Sequence, residues 1–100
     1  MNAKEELLNE LEGEMPLCAY LGYAEYFDVS KTILLKKGYT QKDWNNFLAQ
    51  LDFEYDDGYG TQHLFGTVWI SETIWMDRYE YDGSESWQWL TCPEIPEELL

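Results

Sequence analysis

Between residues 51 and 100 this chain sets twelve carboxylates against one arginine, Arg78. Like charge at that density opposes compaction, so a folded state needs a large apolar supply. It has one: 45% of the residues are hydrophobic and 17% are aromatic. High net charge on its own reads as disorder, but aromatic content at this level argues for a packed core. One hundred residues give room for a single domain, 1–100, built on one core. The full count is 20 acids against 6 bases, a net charge of -14 at pH 7. Direct binding of nucleic acid is excluded on that ground, because phosphate is held by Lys and Arg. Anionic membranes are disfavoured for the same reason. Residues 1–50 are nearer balance, with eight acids and five lysines, four of those lysines between Lys31 and Lys42.

No apolar run reaches the about 18 residues a spanning helix needs. The N-terminal twelve residues carry four acids and no apolar stretch, which does not fit a signal peptide. Cys18 and Cys92 lack C-x-x-C spacing and read as reduced thiols. A cytoplasmic protein is the expectation.

Hydrophobic spacing orders the chain. Residues 2–12 read as a helix with Leu7, Leu8 and Leu11 on one face, stopped by Gly13 and Pro16. Residues 17–24 and 29–35 read as paired strands. Thr40 and Asp43 make a capping box with Asp in place of the usual Glu or Gln. Trp44, Phe47, Leu48 and Leu51 then fall on one helical stripe, predicting a helix over 41–51. Three strands follow, at about 64–70, 73–81 and 85–91, the last two joined by Asp82-Gly83, a strong hairpin signal. The tail from Pro93 reads as extended over the surface. The fold class expected is α+β: one domain in the order α-β-β-α-β-β-β, a mostly antiparallel sheet of about five strands packed by one main helix.

In the acidic half, carboxylates alternate with aromatic rings, as in Asp52-Phe53-Glu54-Tyr55-Asp56 and Tyr79-Glu80-Tyr81-Asp82. Extended chain sends neighbouring side chains to opposite faces. Asp52, Glu54 and Asp56 therefore share a side at steps of about 6.6 to 6.8 Å, with Phe53 and Tyr55 turned inward. Glu80 and Asp82 make a similar pair. This spacing is of the order of the phosphate step along a nucleic-acid strand. The candidate partner-binding set is Asp52, Glu54, Asp56, Asp57, Glu80, Asp82 and Glu85 for charge, with Tyr55, Tyr59 and Tyr81 as aromatic anchors. The plainer alternative is a solvated face that keeps the protein soluble.

Other chemistries fit less well. A calcium loop counted from Asp52 needs Gly at its sixth position and Glu at its twelfth, where this chain has Asp57 and His63. His63 is the single histidine, more in keeping with a packed or surface residue than with a catalyst. No metal site, cofactor or catalytic residue is expected. Trp44 and Trp69 read as core, whereas Trp87 and Trp89 share a strand face on which one ring can be exposed. With Trp75 they leave a carbohydrate-binding domain as an alternative.

The segments Leu35-Lys36-Lys37-Gly38-Tyr39-Thr40, Phe47-Leu48, Leu51 through Gly60, Leu64-Phe65-Gly66-Thr67, Tyr79 through Glu85 and Pro93-Glu94-Ile95-Pro96 together are distinctive. Over roughly residues 33–98 the chain resembles a type of small acidic phage or prophage protein. That resemblance implies a protein made by a mobile element inside a bacterial cell. Acidic proteins in that setting are often inhibitors, including anti-CRISPR and anti-restriction proteins that imitate nucleic acid. The resulting expectation is a non-enzymatic, acidic inhibitor that binds the basic surface of a host nuclease or nucleic-acid-binding protein. An immunity protein against a basic nuclease toxin rests on the same physics.

Overall fold

The computed structural model describes residues 2–25, 28–55, 63–81, 84–93 and 95–99, with backbone alone at 25, 28–30 and 81. In chain order the elements are helix α1 (Ala3–Leu11), strands β1 (Cys18–Glu25) and β2 (Asp28–Leu35), helix α2 (Gln41–Gln50), and strands β3 (Leu64–Trp69), β4 (Ile74–Tyr81) and β5 (Ser84–Thr91). This is the α+β order expected, with boundaries shifted by one or two residues. The tail closes in a single exposed 3-10 turn at Glu97–Leu99, where an extended segment was expected. The Asp82-Gly83 turn lies outside the described residues.

Helix α2 forms where its cap predicts. The Thr40 hydroxyl accepts from the Asp43 amide at 3.1 Å, and the Asp43 carboxylate accepts from the Thr40 amide at 3.0 Å. Those two bonds satisfy donors that a helix start otherwise leaves open, and they hold the Asp43 carboxyl below its ordinary value. Thr40→Ala should lower stability by about 1 kcal/mol, read as a shift of the urea midpoint with unchanged slope.

Helix α1 is capped by Asn2, whose side chain accepts from the Glu5 amide at 3.0 Å. Glu5 and Glu6 in its first turn suit the positive end of the helix dipole. Ala3, Leu7 and Leu11 are its buried positions, whereas Leu8 is 37% exposed. The i, i+4, i+8 row is the inward one, and Leu8, one residue on from Leu7, is carried about 100° around the axis to the rim. Glu12 takes a left-handed conformation (φ 50°) to end the helix, followed by Gly13 at φ 88°.

The five strands pair in the order β2-β1-β3-β4-β5, every neighbouring pair antiparallel. Register determines which side chains share a face. Leu21 pairs with Ile33 on one side and Gly66 on the other; Ala19 pairs with Val68, and Val68 with Met76. Leu21, Ile33, Leu64, Val68 and Met76 are fully buried beneath Leu7, Phe47 and Leu51. Both helices thus lie on one face of the sheet. The N-terminal helix belongs to the core layer alongside α2. Trp44 is buried, stacked between Tyr39 at 6.0 Å and Phe47 at 5.7 Å. Trp69, expected in the core, points to the opposite face and is half-buried.

Candidate functional site

The acidic half divides into an interior network and a set of exposed carboxylates. On β4, Met76, Arg78 and Glu80 face the helices, because the strand period is two. Arg78 pairs across the ladder with Trp87, and Glu80 with Glu85. The Arg78 side chain is 1% accessible. One of its nitrogens donates to Glu6 of α1 at 2.9 Å, and another to both Glu85 and the Tyr55 hydroxyl, each at 2.9 Å. Tyr55 donates to Glu6 in turn. The guanidinium carbon lies 4.9 Å from the Trp87 ring centre and 5.7 Å from that of Tyr55. Glu85 also accepts from the backbone amides of His63, at 2.7 Å, and Leu64, at 3.1 Å.

Four separate segments meet at this guanidinium. Burial opposes its charge, but Glu6, Tyr55 and Glu85 more than offset that and hold its pKa above the ordinary arginine value. Burial and the bond to Glu6 together raise the Tyr55 phenol well beyond its usual 10. Arg78 Nε and Trp87 Nε1 are buried with no hydrogen-bond partner among the described residues. The Arg78 and Glu85 side chains are enclosed, and the network ties α1, the segment at Tyr55, β4 and β5 together. His63 fits the same frame: its Nδ1 sits 3.2 Å from the Ala24 carbonyl oxygen and its ring lies 6.1 Å from that of Tyr23.

Two of the expected partner-facing residues are therefore interior. The Glu85 side chain is 1% accessible, because Arg78 and two amides take up its oxygens. Tyr55 is 6% exposed and is a wall of the same network. Asp52, Glu54 and Glu80 are exposed. The alternation over 52–55 runs as expected: Phe53 packs on the core, edge to face with Tyr23 at 4.8 Å, while Asp52 and Glu54 turn outward. Asp52 accepts from the Asn2 amide nitrogen at 3.0 Å and lies 3.6 Å from Lys4, contacts that pull its carboxyl below the ordinary range. Glu54 bridges to Asn2. Asp56, Asp57, Tyr59 and Asp82 lie outside the described residues, as does the Tyr81 side chain. Tyr79 does oppose Glu80, yet it is 44% exposed on the face away from the helices, not packed in the core.

Asp52 is engaged by Asn2 and Lys4, and Glu54 and Glu80 are linked to the interior network through their chain neighbours. Glu54 adjoins Tyr55, which touches Arg78, two residues before Glu80. Lys36, Lys37 and Lys42 sit at the other end of the strands, after β2 and at the start of α2. Lys37 lies 3.8 Å from Glu72. Negative charge is not confined to one end, since Glu12 and Glu14 follow α1 toward that same lysine-bearing end.

Among the described residues no three His, Cys, Asp or Glu side chains group as a metal site, and no helix is long and apolar enough to cross a membrane. Cys18 and Cys92 are free thiols. No protein-family model, curated protein or solved structure matches the chain.

The sequence reading missed Arg78 and Glu6. A signal for the first existed: a lone arginine in an acidic half, two residues after an apolar strand position, marks a guanidinium directed inward to a carboxylate. Nothing in the α1 sequence separates Glu6 from the three other glutamates of that helix and its cap.

Proposed function

We propose that this protein is an acidic inhibitor that occupies the phosphate-binding surface of a basic nuclease or nucleic-acid-binding protein. The observation that supports this reading is the withdrawal of Arg78. Residues 51–100 contain twelve acids and this one cation, and the cation is enclosed. That half therefore has no outward arginine or lysine of its own, and among the described ion pairs lysines from the first half meet Asp52 and Glu72. A surface of net negative charge raises the association rate with a basic partner and loses that advantage in salt. Of the expected charge set, Asp52, Glu54 and Glu80 are the described residues that are exposed, and this reading assigns them to that surface. An immunity protein would use the same surface, and protection of cells from a nuclease toxin distinguishes that case. The carbohydrate alternative is weakened: Trp87 lies against Arg78, and the Trp89 Nε1 donates to Glu10 at 2.6 Å.

The test is titration against a panel of purified basic nucleases and DNA-binding proteins, with duplex DNA as competitor. At least one member should bind, with affinity falling as salt rises and DNA displacing the complex. Joint replacement Glu54→Gln and Glu80→Gln should weaken binding about five- to tenfold with circular dichroism unchanged. Absence of binding across the panel, or binding indifferent to salt and to DNA, overturns the reading.

A further inference from the structure

Both helices cover one face of the sheet, and among the described residues no element covers the other face. Tyr20, Leu34, Phe65 and Tyr79 on it are 58%, 49%, 39% and 44% exposed, and Trp69 and Trp75, paired across β3 and β4, are half-buried beside them. The tail does not fold back over these rings, since Ile95 and Leu99 are themselves 65% and 74% exposed. At the end of β1 a shallow hollow of about 390 Å³ is lined by Leu17, Cys18 and Trp69 and by the Lys37–Glu72 ion pair, which forms the charged edge of this face.

The composition of this face departs from that of the chain. A quarter of the residues are charged, 26%, yet among the described strand side chains on this face only Asp77 is. Its carboxylate is already engaged by the Thr67 hydroxyl at 2.5 Å. Depletion of charge with enrichment of aromatic rings marks the core of a protein interface, above all in homodimers. We infer that this face is a self-association surface, and that its occupant is a second copy of the same chain, packed sheet to sheet. A basic partner would need carboxylates opposite it, and this face offers one, already bonded. A second copy brings an equally uncharged and aromatic surface, and two twisted sheets pack face to face about 10 Å apart. Five strands about 4.8 Å apart, six to eight residues long, present roughly 500 Å² per copy. The pair buries about 1,000 Å², the lower bound for a specific interface, which corresponds to a weak, concentration-dependent dimer.

The two copies each carry -14, so long-range repulsion opposes the dimer and screening favours it. Its response to salt is thus opposite to that of the inhibitor complex, and the two readings fail separately. Sedimentation equilibrium on the full chain, at about 50 mM and about 500 mM NaCl and protein up to about 200 µM, tests it. The expected mass is twice 11.9 kDa at the top of the range, with a dissociation constant that falls at high salt. Tyr20→Glu and, separately, Tyr79→Glu should each raise that constant at least about tenfold, with circular dichroism reporting an intact fold. A protein that stays monomeric at both salt levels overturns the inference. So does a dimer indifferent to both substitutions, or one that salt dissociates.

Discussion

Replacing Arg78 with alanine is expected to remove about 3 to 5 kcal/mol of stability, a large share of the roughly 5 to 15 kcal/mol that holds a domain of this size together. The loss is not that of one ion pair. Glu85, with a 1% accessible side chain, is left in a buried site without its cation, and Glu6 loses one of its two hydrogen-bonded partners. Removing one partner of a buried pair leaves the other uncompensated, and that dominates the cost. The Trp87 and Tyr55 rings also lose the flat cation lying between them. In thermal melts the midpoint should fall by at least about 12 °C. Arg78→Lys should recover part of this, since it restores the charge but not the fork that reaches Glu6, Tyr55 and Glu85 together. A melt within about 4 °C of the parent for Arg78→Ala would show that the network contributes little.

Gly66→Ala should be comparably severe for a different reason. Gly66 lies in β3 at φ 129°, and a Cβ there would stand 2.2 Å from the Tyr20 carbonyl oxygen and 2.8 Å from the Leu21 Cα. Both atoms belong to the backbone of β1, so no rotamer change relieves the overlap. The strands must separate at the centre of the sheet, where Leu21 is fully buried. The expected loss is about 4 kcal/mol, enough to leave much of the protein unfolded at 37 °C. Gly13 and Gly38 provide the control. Their φ values are also positive, at 88° and 77°, but nothing lies within 4 Å of a Cβ at either site. Alanine at those positions should cost about 1 kcal/mol each by urea unfolding. Equal losses at all three glycines would contradict the steric account.

The two helices and five strands were legible because each carried a local signature. The capping box and the stripe from Trp44 to Leu51 need no knowledge of the rest of the chain. The alternation over Asp52 to Tyr55 was legible for the same reason, as an extended segment with one apolar side. Glu85 was not. Its burial follows from an arginine seven residues away and two amides across the sheet, and no local pattern announces a carboxylate that will be neutralised by partners distant in sequence. Trp69 failed differently. The strands of this sheet are apolar on both faces, so the period of two assigns Trp69 and Val68 to opposite faces without saying which one the helices cover. Hydrophobicity identified interior candidates correctly only where a helix lay above them.

The bond from Arg78 to Glu6 spans 72 positions of chain. Contacts of such reach are slow to form, because the intervening segment must first be brought into place. During synthesis α1 must wait for β4 and β5 to leave the ribosome before the Glu6 carboxylate meets the guanidinium. Until then its leucines and the sheet beneath are open to water and to other chains. The layer under α1 is therefore completed only after β4 and β5 have been made.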